Sequence, residues 1–220
     1  MSKYILLRMR APLQSWGGES FSYKYRGTIR HPTLSGVLGL ICCALGVNTS
    51  KNKAFLGELV NNISMDVFCY KQGKILKDYQ TAGTGHKDLR KIPTNCFSKP
   101  VEAKVRGNIY HKEYLQSSDF CVILEVKSEE LANKISLGLR EPKWMPSLGR
   151  KACIPTTPIF VGMRDSKDQL SSLQDEIMTG NELIYSVVED SSGEILKDVP
   201  VEFNHKYRSR RVRYSDALNL

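Results

Sequence analysis

No stretch of this sequence is apolar for as long as a bilayer is thick, which takes about 18 residues. The longest apolar run, Val37 to Val47, is shorter and holds two glycines. That excludes a membrane-spanning helix. A signal peptide is not expected either, because the charged, strand-like segment from Lys3 to Arg10 stands where its apolar core would be. The six cysteines, Cys42, Cys43, Cys69, Cys96, Cys121 and Cys153, include no CxxC pair. Four sit in apolar runs, so they read as buried free thiols of a reducing cytoplasm rather than as a disulfide framework or a zinc site. The four histidines, His31, His86, His111 and His205, make no HxxxH pair. The sequence also lacks a P-loop, a GxGxxG after a strand and a GxSxG, so nucleotide hydrolysis and serine-hydrolase chemistry are without their usual parts. The acids form no recognisable metal cluster, and no metal or cofactor is expected.

What is there is a globular composition over 220 residues, 41% hydrophobic and 25% charged, with a formal net charge of +9. The surplus is segregated. Residues 1–35 carry six basic groups and one acid, residues 71–112 ten and three, and residues 205–220 five and one. Residues 36–70 are balanced, and residues 113–204 hold nine basic groups against sixteen acids. Such segregation marks a polyanion partner, since each Lys or Arg placed on a phosphate releases counterions. Tyr23, Tyr25, Tyr70, Tyr79, Tyr110, Tyr207 and Tyr214 lie among or beside the basic segments. Tyrosine stacks on unpaired bases, so the mixture suits single-stranded RNA better than a uniform duplex.

Along the chain, Lys3 to Arg10 reads as a strand and Ala11 to Gly18 as a loop. Thr33 and Ser35 are cap residues for a helix over about 36–45, weakened by Gly36 and Gly39. A second short helix is expected from Ala54 to Ile63. The alternation of Met65 to Tyr70 and Lys74 to Tyr79 about Gln72-Gly73 is a hairpin signal. Residues 81–110 have no period and read as a long functional loop. Asp119 to Val126 is a buried strand, and Ser128 opens a helix to about Leu139. Pro142 to Pro158 reads as loop. Ile159 to Met163, Leu183 to Val188 and Glu194 to Phe203 read as strands, with a helix from Asp168 to Met178. The order strand, helix, two strands, strand, helix, strand suggests an α+β, ferredoxin-like plan with an insertion.

One local cluster, Tyr110-His111-Lys112, holds the groups that metal-free RNA cleavage needs: a base, a cation and a proton source. Basic residues beside a histidine are equally common near RNA-binding loops, so binding without catalysis stands beside cleavage here. A basic scaffold that binds only protein is a third reading of the same charge.

Several segments together resemble one family. They are Leu6 to Gly17 (LLRMRAPLQSWG), Arg26 to Leu40 (RGTIRHPTLSGVLGL), Asp78 to Gly83 (DYQTAG), Lys112 to Leu115 (KEYL), Ser147 to Cys153 (SLGRKAC) and the basic run Tyr207 to Tyr214. In this order they are similar to the CasD family, the fifth Cas protein family, in its type I-E form, and they span nearly the whole chain. The resemblance implies a modified ferredoxin-like (RAMP) domain over 1–145, with a long thumb at about 81–112, and a small C-terminal β-rich region over 146–220. It implies a non-catalytic, cytoplasmic RNA-binding subunit of the type I-E CRISPR Cascade surveillance complex, acting in antiviral defence. Such a subunit caps the 5′ handle of the crRNA, touches a Cascade backbone subunit and docks the large PAM-reading subunit, so that it meets target DNA only indirectly and no membrane. In type I-C relatives the equivalent subunit cuts the repeat RNA without metal, which keeps Tyr110, His111 and Lys112 as an alternative catalytic set. Two departures stand out. Leu34 occupies a place where the family often has a basic residue, and the order His111-Lys112 is the reverse of the one associated with cleaving relatives.

The resemblance and the chemistry together single out candidate RNA-binding residues. Gln14, Trp16 and Gly17 follow the first strand, and Trp16 is a candidate either to stack on a base or to cap the core. Arg26 and Arg30 are candidate phosphate contacts, as are Ser35 and Gly36 at a helix start. Tyr79, Gln80 and Thr81 open the thumb, and Arg90, Lys91, Lys104 and Arg106 lie in it. Arg150 and Lys151 follow a glycine in a loop, and Arg208, Arg210, Arg211 and Arg213 form the densest basic run.

Overall fold

In the computed structural model the described residues are 2–17, 24–48, 51–82, 108–188, 194–203 and 208–219. Strand β1 (Lys3–Arg10) is flanked by two antiparallel neighbours. On one side lies β7 (Asp119–Val126), registered from Lys3↔Val126 to Arg10↔Asp119. On the other lies β8 (Phe160–Arg164). Strand β4 (Ile63–Lys71) pairs the far edge of β7, and β9 (Tyr185–Val188) pairs β4. The C-terminal strands β10 (Glu194–Phe203) and β11 (Arg208–Asn219) continue the sheet, giving the order β10-β11-β9-β4-β7-β1-β8.

Successive side chains of a strand point to opposite faces, so an uninterrupted apolar strand needs cover on both. Strand β7, DFCVILEV, is such a strand. Phe120, Val122, Leu124 and Val126 join Ile5, Leu7 and Met9 in the main core. That core is completed by helices α1 (Leu34–Leu45) and α3 (Glu129–Arg140), through Val37, Leu38, Ile41, Leu131 and Ile135. Each such side chain contributes about 1.5–3 kcal/mol when fully buried. Cys121, Ile123 and Leu6 face the other way, against Leu170 and Met178 of helix α4 (Lys167–Ile177) and its C-cap. Helix α2 (Lys53–Asn62) leads into β4, capped by Asn52, whose side chain accepts from the Phe55 N–H.

A second sheet is built on β6 (Asn108–Gln116). Along one edge runs β5 (Lys74–Ala82), antiparallel from Lys74↔Gln116 to Ala82↔Asn108. The opposite edge is shared by β2 (Leu13–Gln14), antiparallel, and β3 (Tyr25–Arg26), parallel. The expected hairpin between the strands around Gln72-Gly73 is therefore not formed. β4 has both edges taken, by β7 and β9, so β5 leaves the first sheet at Gly73 and pairs β6 instead. Gly73, at φ +70°, makes that exit, where a Cβ would meet the Gln116 carbonyl at 2.3 Å.

Cys42, Cys69, Cys121 and Cys153 are buried free thiols and Cys43 is half-buried; Cys96 lies outside the described residues. Among the described residues no helix is long and apolar enough to cross a membrane.

Candidate nucleic-acid interface

The segment after β1 is an internal brace. Gln14 is fully buried; its Nε2 donates to the carbonyls of Met9 (3.0 Å) and Ser118 (2.8 Å), and its Oε1 accepts from the Trp16 indole N–H (2.9 Å). Trp16 is only 2% exposed and belongs to the main core. Of the two roles read for Trp16, stacking on a base and capping the core, this burial fits the second: its ring faces Gly36, where a Cβ would stand 2.9 Å from a ring carbon. Gly17, at φ +83°, turns the chain, and its carbonyl accepts from the Ile29 N–H at 2.7 Å.

The start of α1 is also occupied from within. Thr33 is its N-cap and accepts from the Gly36 N–H at 3.2 Å, while its hydroxyl donates to the Trp16 carbonyl at 3.0 Å. Ser35 is buried. Ser35 and Gly36 read either as a phosphate seat or as a plain helix start; Thr33 caps the turn and Trp16 lies against Gly36, which fits the plain start.

Arg150 is a clamp. One guanidinium nitrogen donates to the Glu113 carbonyl at 2.9 Å, the other to the Arg26 carbonyl at 2.8 Å, and the group lies 4.7 Å over the Tyr114 ring. Its fork thus joins β3 to β6, which answers the expectation of a phosphate contact with a different use of the same donors. Gly149, at φ +96°, presses this loop onto Ser15, whose N–H donates to the Leu148 carbonyl at 3.0 Å. Lys151 next to it is exposed. Arg8, another cation of this region, is engaged by Asp119 at 2.7 Å, and that hydrogen bond pushes its pKa up.

Three segments meet around β6. Arg26 is exposed on β3 and stands opposite Lys112 in the parallel ladder. Like charges directly opposite are unfavourable unless an anion lies between them or solvent screens them. Lys112 donates to Gln80 Oε1 at 2.6 Å, and Gln80 Nε2 donates to Asp78 Oδ2 at 2.6 Å, so the Gln80 amide is held in one orientation. Tyr79, Gln80 and Thr81 are exposed on β5, with Tyr79 at 61%. Arg30 is exposed nearby in the chain, and its carbonyl accepts from the Tyr185 hydroxyl at 3.0 Å. Burial among these groups pushes the Tyr185 pKa up.

The alternative catalytic set does not converge. Tyr110, His111 and Lys112 are consecutive in β6, so His111 projects from one face and the other two from the opposite face. Arg208, Arg210, Arg211 and Arg213 lie in β11, registered against β10 from Phe203↔Arg208 to Leu196↔Arg213. Arg90, Lys91, Lys104 and Arg106 lie outside the described residues. Among the described residues no group of three His, Cys, Asp or Glu is placed to hold a metal ion.

The Arg26–Lys112 opposition and the Arg150 clamp escaped sequence reasoning. Both depend on β3 running parallel to β6 across more than 80 residues, a pairing that no local signal announces.

The family model for CRISPR-associated protein Cas5 matches residues 4–215. The CRISPR system Cascade subunit CasD of Escherichia coli (strain K12) is 29% identical over 194 residues, which cover 84% of this chain and 82% of that protein. A solved chain of a CRISPR RNA-guided surveillance complex superposes with a TM-score of 0.75 at 24% identity, covering 98% of this chain and 89% of its own. A crystal structure of a Cas protein gives a TM-score of 0.69 at 21% identity, covering 99% and 94%.

Proposed function

The chain belongs to the CRISPR-associated Cas5 protein family, and from that premise we propose that it is the RNA-binding subunit of a type I-E CRISPR Cascade complex that caps the 5′ handle of the crRNA. The observation that carries this reading is the identity to a Cascade subunit along most of both chains. Two crossover helices and the order β4-β7-β1-β8, antiparallel throughout, support the ferredoxin-like, RAMP-type plan, whose fourth strand β8 is supplied by the region after residue 145. The thumb would be the insertion between β5 and β6, whose bases are Ala82 and Asn108.

In this reading the subunit works by electrostatics and shape in the cytoplasm, without a cofactor. Arg26, Arg30, Lys112 and Lys151 offer exposed or half-buried cations to the RNA backbone, and Tyr79, Gln80 and Thr81 face the nucleotides beside the thumb. The thumb cations Arg90, Lys91, Lys104 and Arg106 and the β11 arginines extend the same reading toward RNA or the adjoining backbone subunit. The net-acidic stretch 113–204 leaves a different surface for protein partners such as the large PAM-reading subunit. Ribonuclease action is not part of the proposal; the alternation of β6, which sets His111 on the face opposite Tyr110 and Lys112, supports leaving it out.

The test is to incubate the purified protein with labelled CRISPR repeat RNA in EDTA. Salt-sensitive binding with intact RNA is expected. Cleavage to 2′,3′-cyclic phosphate ends would replace this reading with the endoribonuclease, and absence of binding at low salt would reject RNA recognition by the isolated subunit.

A further inference from the structure

The sheet of β5, β6 and β3 has two unlike faces. One carries Arg26, Lys112, Gln80 and Asp78. The other carries Tyr79 opposite His111, with Tyr25 across from His111 on the next strand. The Tyr79 and His111 rings stand 5.4 Å apart at 73°, edge to face. Tyr25 is anchored, its hydroxyl donating to Glu113 Oε1 at 2.8 Å, which raises its pKa. Tyr79, in contrast, is 61% exposed, and His111 is exposed beside it.

A single exposed aromatic is ordinary on a protein surface, so the groups around Tyr79 decide what it can do. The alternation of β5 and β6 puts Lys77, Glu113 and Thr81 on its face, with Ile109, at 43% exposure, as the exposed aliphatic and Ile75 half-buried. A rim of hydroxyls, imidazole, ammonium and the Glu113 carboxylate, which Tyr25 holds, around one flat ring does not resemble the apolar centre of a protein interface. It resembles a seat for a nucleobase, whose π-face stacks on the ring while its edge meets polar groups. The segment 71–112 that supplies both strands carries ten basic groups against three acids, which complements an anionic strand.

We propose that Tyr79 and His111 form a stacking seat for one unpaired base of the bound RNA, with Tyr79 supplying the stacking face and His111, edge-on to it, fixing that ring and meeting the base edge. The seat rests on the RNA-binding reading above and adds to it a base contact separate from the phosphate contacts on the opposite face. Because stacking is indifferent to base identity, the seat selects an unpaired nucleotide at a position rather than a sequence.

The experiment uses the full-length protein and single-stranded RNAs of about a dozen nucleotides, each with 2-aminopurine at one position. The wild type is expected to quench the fluorescence at one position. Tyr79→Phe keeps that quenching, Tyr79→Ala abolishes it and weakens binding about tenfold, and His111→Ala reduces it. Lys112→Ala weakens binding but leaves the quenching in place. Circular dichroism checks that Tyr79→Ala is folded, as an exposed position should allow. Tight binding with no quenched position, or quenching that survives Tyr79→Ala, overturns the seat while leaving RNA binding intact. Loss of association with a protein subunit in Tyr79→Ala, with RNA binding unchanged, assigns the face to protein and also overturns it. Failure of the wild type to bind any of the RNAs removes the RNA-binding reading and the seat together.

Discussion

The guanidinium of Arg150 lies 4.7 Å over the ring of Tyr114 while its two terminal nitrogens donate to the backbone carbonyls of Glu113 and Arg26. One side chain thus fixes the spacing between β3 and β6, and with it the position of Arg26 beside Lys112. Hydrogen bonds from a charged group contribute about 1.5–3 kcal/mol and the ring contact about 0.5–1 kcal/mol. Arg150→Ala is expected to cost about 2–3 kcal/mol and to lower Tm by about 5–10 °C. Arg150→Lys recovers the charge but not the fork, so it should remain clearly destabilised in the same thermal melt.

Gly36 and Gly39, one helical turn apart in α1, should respond oppositely to alanine. At Gly36 a Cβ would stand 2.9 Å from the Trp16 ring and 3.0 Å from Thr33 Oγ1, while at Gly39 nothing lies within 4 Å. Overpacking costs about 1–3 kcal/mol, against a helix-propensity gain of about 1 kcal/mol. Urea denaturation should therefore show Gly36→Ala destabilised and Gly39→Ala unchanged or stabilised.

The buried thiols give the protein an alkaline limit. Burial pushes Cys42 and Cys69 up to about 11 and Cys121 to about 12. In the unfolded chain these groups ionise near about 8.5. With the folded pKa raised, the folded state binds more protons above that point, so stability falls as pH rises from there toward 11 to 12. The urea midpoint should decline across this window, and iodoacetamide should modify Cys42, Cys69 and Cys121 only after unfolding.

Arg26 and Lys112 face each other across the β3–β6 ladder as a cationic pair. If both sit on phosphate, Arg26→Ala and Lys112→Ala each weaken RNA binding uniformly across sequences. Each should also flatten the plot of log affinity against log salt by about one unit. An unchanged slope in both would remove them from the phosphate contacts.

How far these features were legible beforehand depended on how local they are. β7 was readable because its apolar run from Phe120 to Leu124 needs two covered faces wherever it sits. Two helix starts were readable because Thr33 and Ser128 cap within their own turn. The turn at Gln72-Gly73 was visible, but its consequence was not: whether β4 and β5 pair depends on β7 and β9 having already claimed both edges of β4. Trp16 shows the same limit at the site. Its place after a strand suited a surface platform and a core cap alike; the Gln14 brace, which reaches Ser118, and the gap at Gly36 draw it inward. The cations were legible as a surplus, but which were spent internally, as Arg8 and Arg150 are, required their partners.

The central claim is that this chain caps a crRNA inside a Cascade assembly. Native purification of the assembled complex, followed by sizing and sequencing of the bound nucleic acid, tests it most directly. A single RNA species of defined length, with a common 5′ end protected by this subunit, is the predicted result. An assembly that contains the subunit but no RNA, or RNA whose 5′ end is equally protected when the subunit is removed, would contradict it.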